Sequence, residues 1–365
     1  MSGRPAGALA GIAMILLLLA VPGGAVAERP NPGVTLEVPS PAVPMHDVVL
    51  GEPGAAAARI SASASSQRYS INDGSGATIA VSVTEACAED CDVTDPQQVA
   101  DFIGTLIHGP EVSLLTIQLD SEYQLGFDCG FGAEACYFSG ENKIVIGGYE
   151  EPDGNDGATF DFILAHEYGH HVAQHREMPP PFGSAIDWGP ERWASVESVC
   201  RGQRSGRFYP GDEGTHYFED PGEAFAESFA HYRFPDLPVA WNYSPALKPS
   251  EAAFKAIRED TLEPWQGRTS LTLSGHVPAR GEGAAVESLR TPLDGLVSLR
   301  PSSLSRHGYE LALRSRAGRL LRSSRDGLEP NHQLDYTVCG QHHLRLVITS
   351  KRRHSGTFRL QIQRP

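Results

Sequence analysis

The chain has 365 residues, 40% of them hydrophobic and 21% charged, with a formal net charge of −15. That length and apolar content suffice for at least one full core and leave room for two domains, which excludes wholesale disorder. The acidic balance excludes nucleic acid as the main partner, because phosphate binding needs clustered cations. In chain order, residues 1–27 read as a signal peptide: Arg4 is their only charge, Ala6 to Val21 is almost wholly apolar, and the small residues Ala25-Val26-Ala27 close the segment. No later stretch approaches the roughly 18 apolar residues that a membrane helix needs, so a secreted, extracellular protein without a membrane span is expected. Residues 28–67 are rich in Pro, Ala and Ser and show no sustained period, which fits a linker or a pro-segment.

Thr78 to Val83 is rich in β-branched residues and predicts a strand. Asp95-Pro96 opens a helix carrying Val99, Phe102, Ile103 and Leu106 at helical spacing, and Leu114 to Leu119 predicts a buried strand. Ala135 to Phe138 and Lys143 to Gly147 flank Ser139-Gly140-Glu141-Asn142, which is hairpin chemistry. The acidic, Gly-rich run from Glu150 to Gly157 either holds Ca2+ through several oxygens, off the spacing of the twelve-residue calcium loop, or is a turn lending negative charge to a helix N-terminus. Helices follow over Ala158 to about Gln174, Pro221 to His231, and Ser250 to Asp260, the last with Ser250 as its N-cap. After Trp265 the texture changes to short alternating segments, among them Leu271 to Leu273, Val297 to Leu299, Leu344 to Ile348 and Phe358 to Ile362, which predicts an all-β domain.

Charge divides the chain at the same place. Residues 266–365 carry 16 Lys and Arg against 7 Asp and Glu, a balance of +9, which leaves −25 for residues 28–265 once Arg4 is set apart with the signal. The basic part can dock on its acidic neighbour or on an anionic surface such as a cell-wall polymer. Cys87, Cys91, Cys129, Cys136, Cys200 and Cys339 follow an export signal and are expected in disulfides, with Cys129 to Cys136 across a short loop as one pair. None sits in a Cys-x-x-Cys pair, which speaks against a zinc site built on thiolates.

The chemistry-bearing segment reads Ile163-Leu164-Ala165-His166-Glu167-Tyr168-Gly169-His170-His171. His166 and His170 are four apart, so on a helix their imidazoles leave one face about a turn apart, where two nitrogens can share one Zn2+. Glu167 beside them can take the proton of a water whose acidity the metal raises. His171 points away from that face and is expected to pack or to face solvent. A catalytic zinc needs a third protein ligand and one open position. Downstream, Asp220-Pro221-Gly222-Glu223-Ala224-Phe225-Ala226-Glu227-Ser228-Phe229 places two carboxylates four apart on a second helix. Glu223 can reach the metal while Glu227 accepts the N–H of a liganding imidazole, the usual outer support of a metal-bound histidine.

His-Glu-x-x-His followed by Glu-x-x-x-Glu in this setting resembles the gluzincin metallopeptidases, and in local wording most closely their lethal-factor-type branch. The longer metzincin pattern is disfavoured, because Ala173 and Arg176 stand where it needs Gly and His, and His175 is out of register. The resemblance covers residues 68–265 and implies a zincin-like α+β catalytic domain with metal ligands His166, His170 and Glu223, base Glu167 and outer-shell Glu227. In that branch a tyrosine upstream of the glutamate ligand stabilises the oxyanion. Here His216 occupies the expected place and Tyr217 is one residue closer, so both are candidates; His231 is a weaker one facing the cleft. The resemblance also implies that substrate pairs with a sheet edge, for which Ala135 to Phe138 is the candidate.

Within residues 266–365, Thr291-Pro292-Leu293-Asp294-Gly295, Asn331 to Gly340, and Ser355-Gly356-Thr357-Phe358-Arg359-Leu360 resemble a bacterial pre-peptidase C-terminal domain, a small β-sandwich carried by secreted peptidases. Together the two resemblances imply a secreted zinc metalloendopeptidase acting on protein or peptide substrates. Two other readings remain at this stage: a secreted binding or adhesion protein braced by a structural zinc, and a cell-wall peptide hydrolase whose basic domain grips anionic wall polymer.

Overall fold

A computed structural model describes residues 66–149, 158–301, 309–324, 333–351 and 353–365. The expected signal, nearly all of the expected linker and the acidic run 150–157 lie outside the described residues, as does the Ca2+ expectation tied to that run.

The N-terminal part is α+β. Strands β1 (Gln67–Ser70), β2 (Thr78–Val83), β3 (Thr116–Asp120), β4 (Ala135–Phe138) and β5 (Lys143–Gly147) form one sheet in the order β1-β2-β3-β5-β4. The strands β2, β3 and β5 run parallel, while β1 and β4 lie antiparallel at the two edges. Parallel neighbours need crossovers. These are supplied by helices α1 (Glu85–Asp90) and α2 (Pro96–Ile103) between β2 and β3, and by α3 (Glu122–Asp128) after β3. The tight connection from β4 to β5 is made possible by Asn142, at φ 52°, a left-handed position that Asn tolerates better than most residues.

Two boundaries differ from the sequence expectation. The helix opened by Pro96 stops at Ile103, and Leu106 is buried in the turn that follows, where the Thr105 hydroxyl bonds the Phe102 carbonyl. Strand β3 begins at Thr116 because Pro110–Leu114 forms a 3-10 turn, and Leu114 at its end is 53% exposed. The expected disulfide between Cys129 and Cys136 is present, joined by Cys87–Cys91 and Cys200–Cys339.

Helix α4 (Phe160–Gln174) has nearly every residue buried. Buried on all sides over most of its length, it is a core helix rather than a surface one. One side meets β4, where the Tyr137 hydroxyl lies 3.0 Å from His171 Nδ1. Another meets α8 (Pro221–Arg233), which follows the short helices α5 (Ala185–Trp188), α6 (Glu191–Val196) and α7 (Val199–Arg204). Helix α9 (Glu251–Leu262), capped by Ser250 on the Ala253 N–H, completes the helical layer.

From Thr269 the described elements are β-strands. Strands β6 (Thr269–Val277), β7 (Ala285–Arg290), β8 (Gly295–Pro301), β9 (Tyr309–Ser315), β10 (Leu320–Ser323), β11 (Leu334–Val338), β12 (His343–Ser350) and β13 (Gly356–Arg364) form two four-stranded antiparallel sheets, β10-β9-β12-β7 and β11-β8-β13-β6. Inward residues such as Val297, Leu313, Leu346 and Leu360 form a core of their own, separate from that of the α+β part. Cys200–Cys339 ties α7 to this β part, and the Asp294 N–H bonds Ser195 Oγ of α6 at 2.9 Å. No helix among the described residues is long and apolar enough to cross a membrane.

Candidate metal centre

The centre depends on how closely α4 and α8 approach. Helix α4 starts where Thr159 Oγ1 accepts the Phe162 N–H, and α8 where Asp220 Oδ1 accepts the Gly222 N–H at 2.7 Å with Pro221 in the first turn. At the crossing, a Cβ on Gly169 would lie 2.8 Å from Ala226 Cα and 3.2 Å from Phe229 Cβ, so only glycine lets the two backbones come this near. A mid-helix glycine is a local liability, and here the close crossing is what it makes possible.

That crossing brings His166, His170 and Glu223 together with one ligand atom from each within 4.8 Å of the others. His166 Nε2 stands 3.6 Å from one Glu223 oxygen, and His170 Nε2 stands 3.6 Å from the other. All three side chains are at most 1% exposed. Nitrogen and oxygen ligands about 2.0–2.2 Å from a tetrahedral ion stand about 3.3–3.6 Å from one another, which each histidine meets with its own Glu223 oxygen, while one ligand atom from each of the three spans up to 4.8 Å. Glu223 Oε2 is buried and accepts no hydrogen bond among the described residues, which a bound cation would remedy. The three residues can therefore hold a metal ion.

The outer support is equally defined. Glu227 Oε2 lies 3.0 Å from His166 Nδ1. With the proton on Nδ1 donated to that carboxylate, the Nε2 lone pair faces the cluster. The second oxygen of Glu227 lies 3.3 Å from His231 Nε2. Burial pushes the Glu227 carboxyl upward, but the hydrogen bonds and charges of His166 and His231 outweigh it and hold it below the usual range. His231 is itself set edge-on to Phe162 and packs against Trp241. Glu167 follows His166 on α4 and is 2% exposed.

The remaining candidates divide. His171 faces away from the cluster, between the Tyr137 hydroxyl and the Glu111 carbonyl, and burial lowers its pKa to about 3, so it is a neutral packing residue. Tyr217 opens a 3-10 turn just before α8, and its hydroxyl lies 3.0 Å from that of Tyr243. His216 bonds Asp212 at 2.7 Å and stacks on Tyr209, with ring centroids 3.7 Å apart. Strand β4 is at the sheet edge, but Ala135, Cys136 and Tyr137 are buried, so that edge is not open to solvent. Sequence reasoning passed over Gly169, Tyr243 and Trp241. Only Gly169 carried a signal, as the single glycine inside an otherwise strong helix.

No family model matches the chain, and no curated protein does. Among solved structures, the SPBc2 prophage-derived protein YomS is 13% identical over 26% of this chain and 95% of its own, with a TM-score of 0.18. Aminopeptidase A of Legionella pneumophila, in complex with aspartic acid, is 9% identical over 81% of this chain, with a TM-score of 0.22, and the chain spans 37% of its length. Likenesses this slight speak neither to the fold nor to the chemistry.

Proposed function

We propose that the chain is a secreted zinc-dependent endopeptidase of the gluzincin type, its C-terminal sandwich being an accessory module like the pre-peptidase C-terminal domain. The observation that carries this reading is the convergence of two imidazoles and a carboxylate from two helices, with Glu227 behind one imidazole and Glu167 one residue from it. The donor set, two nitrogens and one oxygen, matches that of catalytic rather than structural zinc sites. When bound, the ion supplies Lewis acidity for the scissile carbonyl and for water. Glu167 then accepts the proton of the attacking water and returns it to the departing amine. Glu227 keeps the His166 ring oriented and its Nδ1 protonated throughout. The Tyr217 hydroxyl, held by Tyr243, is the donor proposed for the developing oxyanion, since His216 is committed to Asp212 and Tyr209.

The test is metal analysis joined to cleavage profiling on a peptide library. Wild-type protein should carry about one zinc and cleave, and Glu167→Gln should keep the zinc while losing at least about a thousandfold in turnover. An unaltered rate in that variant removes Glu167 as base. One observation favours a second reading, in which the metal only braces α4 against α8 in a binding protein: the ligands are at most 1% exposed. Full zinc loading with no cleavage of any library member decides for it.

A further inference from the structure

We propose that the outer face of the β10-β9-β12-β7 sheet is a binding site for a flexible, linear polyanion of phosphate or carboxylate groups, gripped by Arg290, Arg316 and Arg345 around a groove of about 590 Å3. The proposal is independent of the hydrolase reading.

Strand register puts these side chains on one face. On β12, Leu344, Leu346 and Ile348 point into the sandwich core, so His343, Arg345 and Val347 point out. His343 stands opposite Arg290 of β7, with Arg290 Nε 3.4 Å from the imidazole Nδ1, and Arg345 stands opposite Arg314 of β9. Arg316, in the turn after β9, completes the line, and Arg290, Arg316 and Arg345 are all exposed. Adjacent strands lie about 4.8 Å apart and alternate residues along a strand about 6.6 Å, so the cations form a lattice on the scale of a charged polymer's repeat. Among the described residues Glu287 is the only acid lining the groove, and Val286 gives it an apolar wall.

The opposite sheet supplies the contrast. Its outward positions along β13 and β6 are Arg359 and Ser274, then Gln361 and Thr272, then Gln363 and Ser270, with Arg300 on β8 beside Gln361. That is a mixed polar face with its cations spread apart. The groove thus gathers three of the 16 Lys and Arg of residues 266–365 around one acid. Nucleic acid is the less suitable polyanion, because among the described residues no Phe, Tyr or Trp lines the groove to stack a base.

The full chain should be titrated with linear polyphosphate and with polygalacturonate, and with duplex and single-stranded DNA. One of the first two should bind, with affinity falling about 20-fold between 50 and 200 mM salt if three anionic groups are engaged. Which of them binds identifies the anion. The triple variant Arg290→Gln, Arg316→Gln, Arg345→Gln should bind at least about tenfold more weakly, whereas Arg280→Gln, Arg300→Gln, Arg359→Gln, with the same change in charge, should lose less than about twofold. Should the first variant fold poorly, amide exchange of the wild type on adding polymer reads the same site, with slowing expected in β7 and β12. Equal losses in the two variants, no binding by either polymer, or tighter binding to DNA would each overturn the proposal.

Discussion

Helix α8 and the joint between the α+β part and the sandwich both bury carboxylates, and they solve the same electrostatic problem differently. In α8, Glu223 and Glu227 face imidazoles: each Glu223 oxygen stands 3.6 Å from a histidine nitrogen, and Glu227 is flanked by His166 and His231. At the joint, Asp260 is satisfied by protein alone, accepting the Arg192 and Trp193 N–H groups and the Arg192 guanidinium. Glu191 nearby is 2% exposed, and neither of its oxygens has a hydrogen-bond partner among the described residues. A buried charge must be paired, coordinated or neutralised. Asp260 is paired, Glu223 is arranged for coordination, and Glu191 is neutralised, its pKa raised to about 9 by burial and then by the charges of Asp260 and Asp294, against the pull of Arg192. Proximity of acids is therefore a poor sign of a metal site, and convergence with imidazoles a better one.

The comparison breaks hardest at the covalent tie. Cys200–Cys339 closes a loop of 139 residues, and in the chain-entropy account such a link contributes about 4–5 kcal/mol. The double variant Cys200→Ser, Cys339→Ser should lose stability on that scale in denaturant melts while keeping its metal, because His166, His170 and Glu223 lie on α4 and α8 and none of them contacts the disulfide. Concurrent loss of metal would mean that the two regions are one cooperative unit. Somewhat smaller is the effect of the ion itself. At a thousandfold excess over its dissociation constant a bound metal adds about 4 kcal/mol, so a chelator should lower the melting temperature of the wild type and leave Glu223→Ala unmoved. A chelator shift that persists in Glu223→Ala would place the metal elsewhere. Next in size, Glu227→Gln keeps the shape but weakens the acceptor behind His166, and its metal affinity should fall about 10–100-fold by competition with a chromophoric chelator.

How much of this could be read from the residues alone follows the range of the forces involved. Local signals located β2, β4, β5, α4, α8 and the Ser250 cap of α9, because period, capping and turn chemistry act within a few residues. The short helices α5 to α7 carry too few residues to show a period, and they owe their form to packing against α8 and α9. Gly222 illustrates this: a Cβ there would stand 2.1 Å from the Ile186 carbonyl of α5, a constraint that only the folded neighbour reveals. In the centre, the pairing of His166 and His170 was legible because one helix fixes their spacing. That Glu223 joins them follows only from the second helix and its crossing at Gly169. Spacing does not choose between Tyr217 and His216; the partners that hold them, Tyr243 for the one and Asp212 and Tyr209 for the other, come from distant segments.

The last test concerns the neutralised acid. Glu191 has a raised pKa in the folded protein, about 9 against an ordinary carboxyl value of 4.5, so the folded state keeps a proton that the unfolded chain releases. Stability from this group is full below pH 4.5 and drains away as pH rises toward 9, at up to about 1.4 kcal/mol per unit. Glu191→Gln removes the titration while preserving shape. The variant should therefore gain on the wild type with increasing pH, whatever its level at pH 5, since a buried amide without partners has a cost of its own. Denaturant melts of the two proteins from pH 5 to pH 9 read the difference. Parallel curves across that range would mean that Glu191 is charged in the fold and held by a cation, and the contrast with Glu223 would vanish.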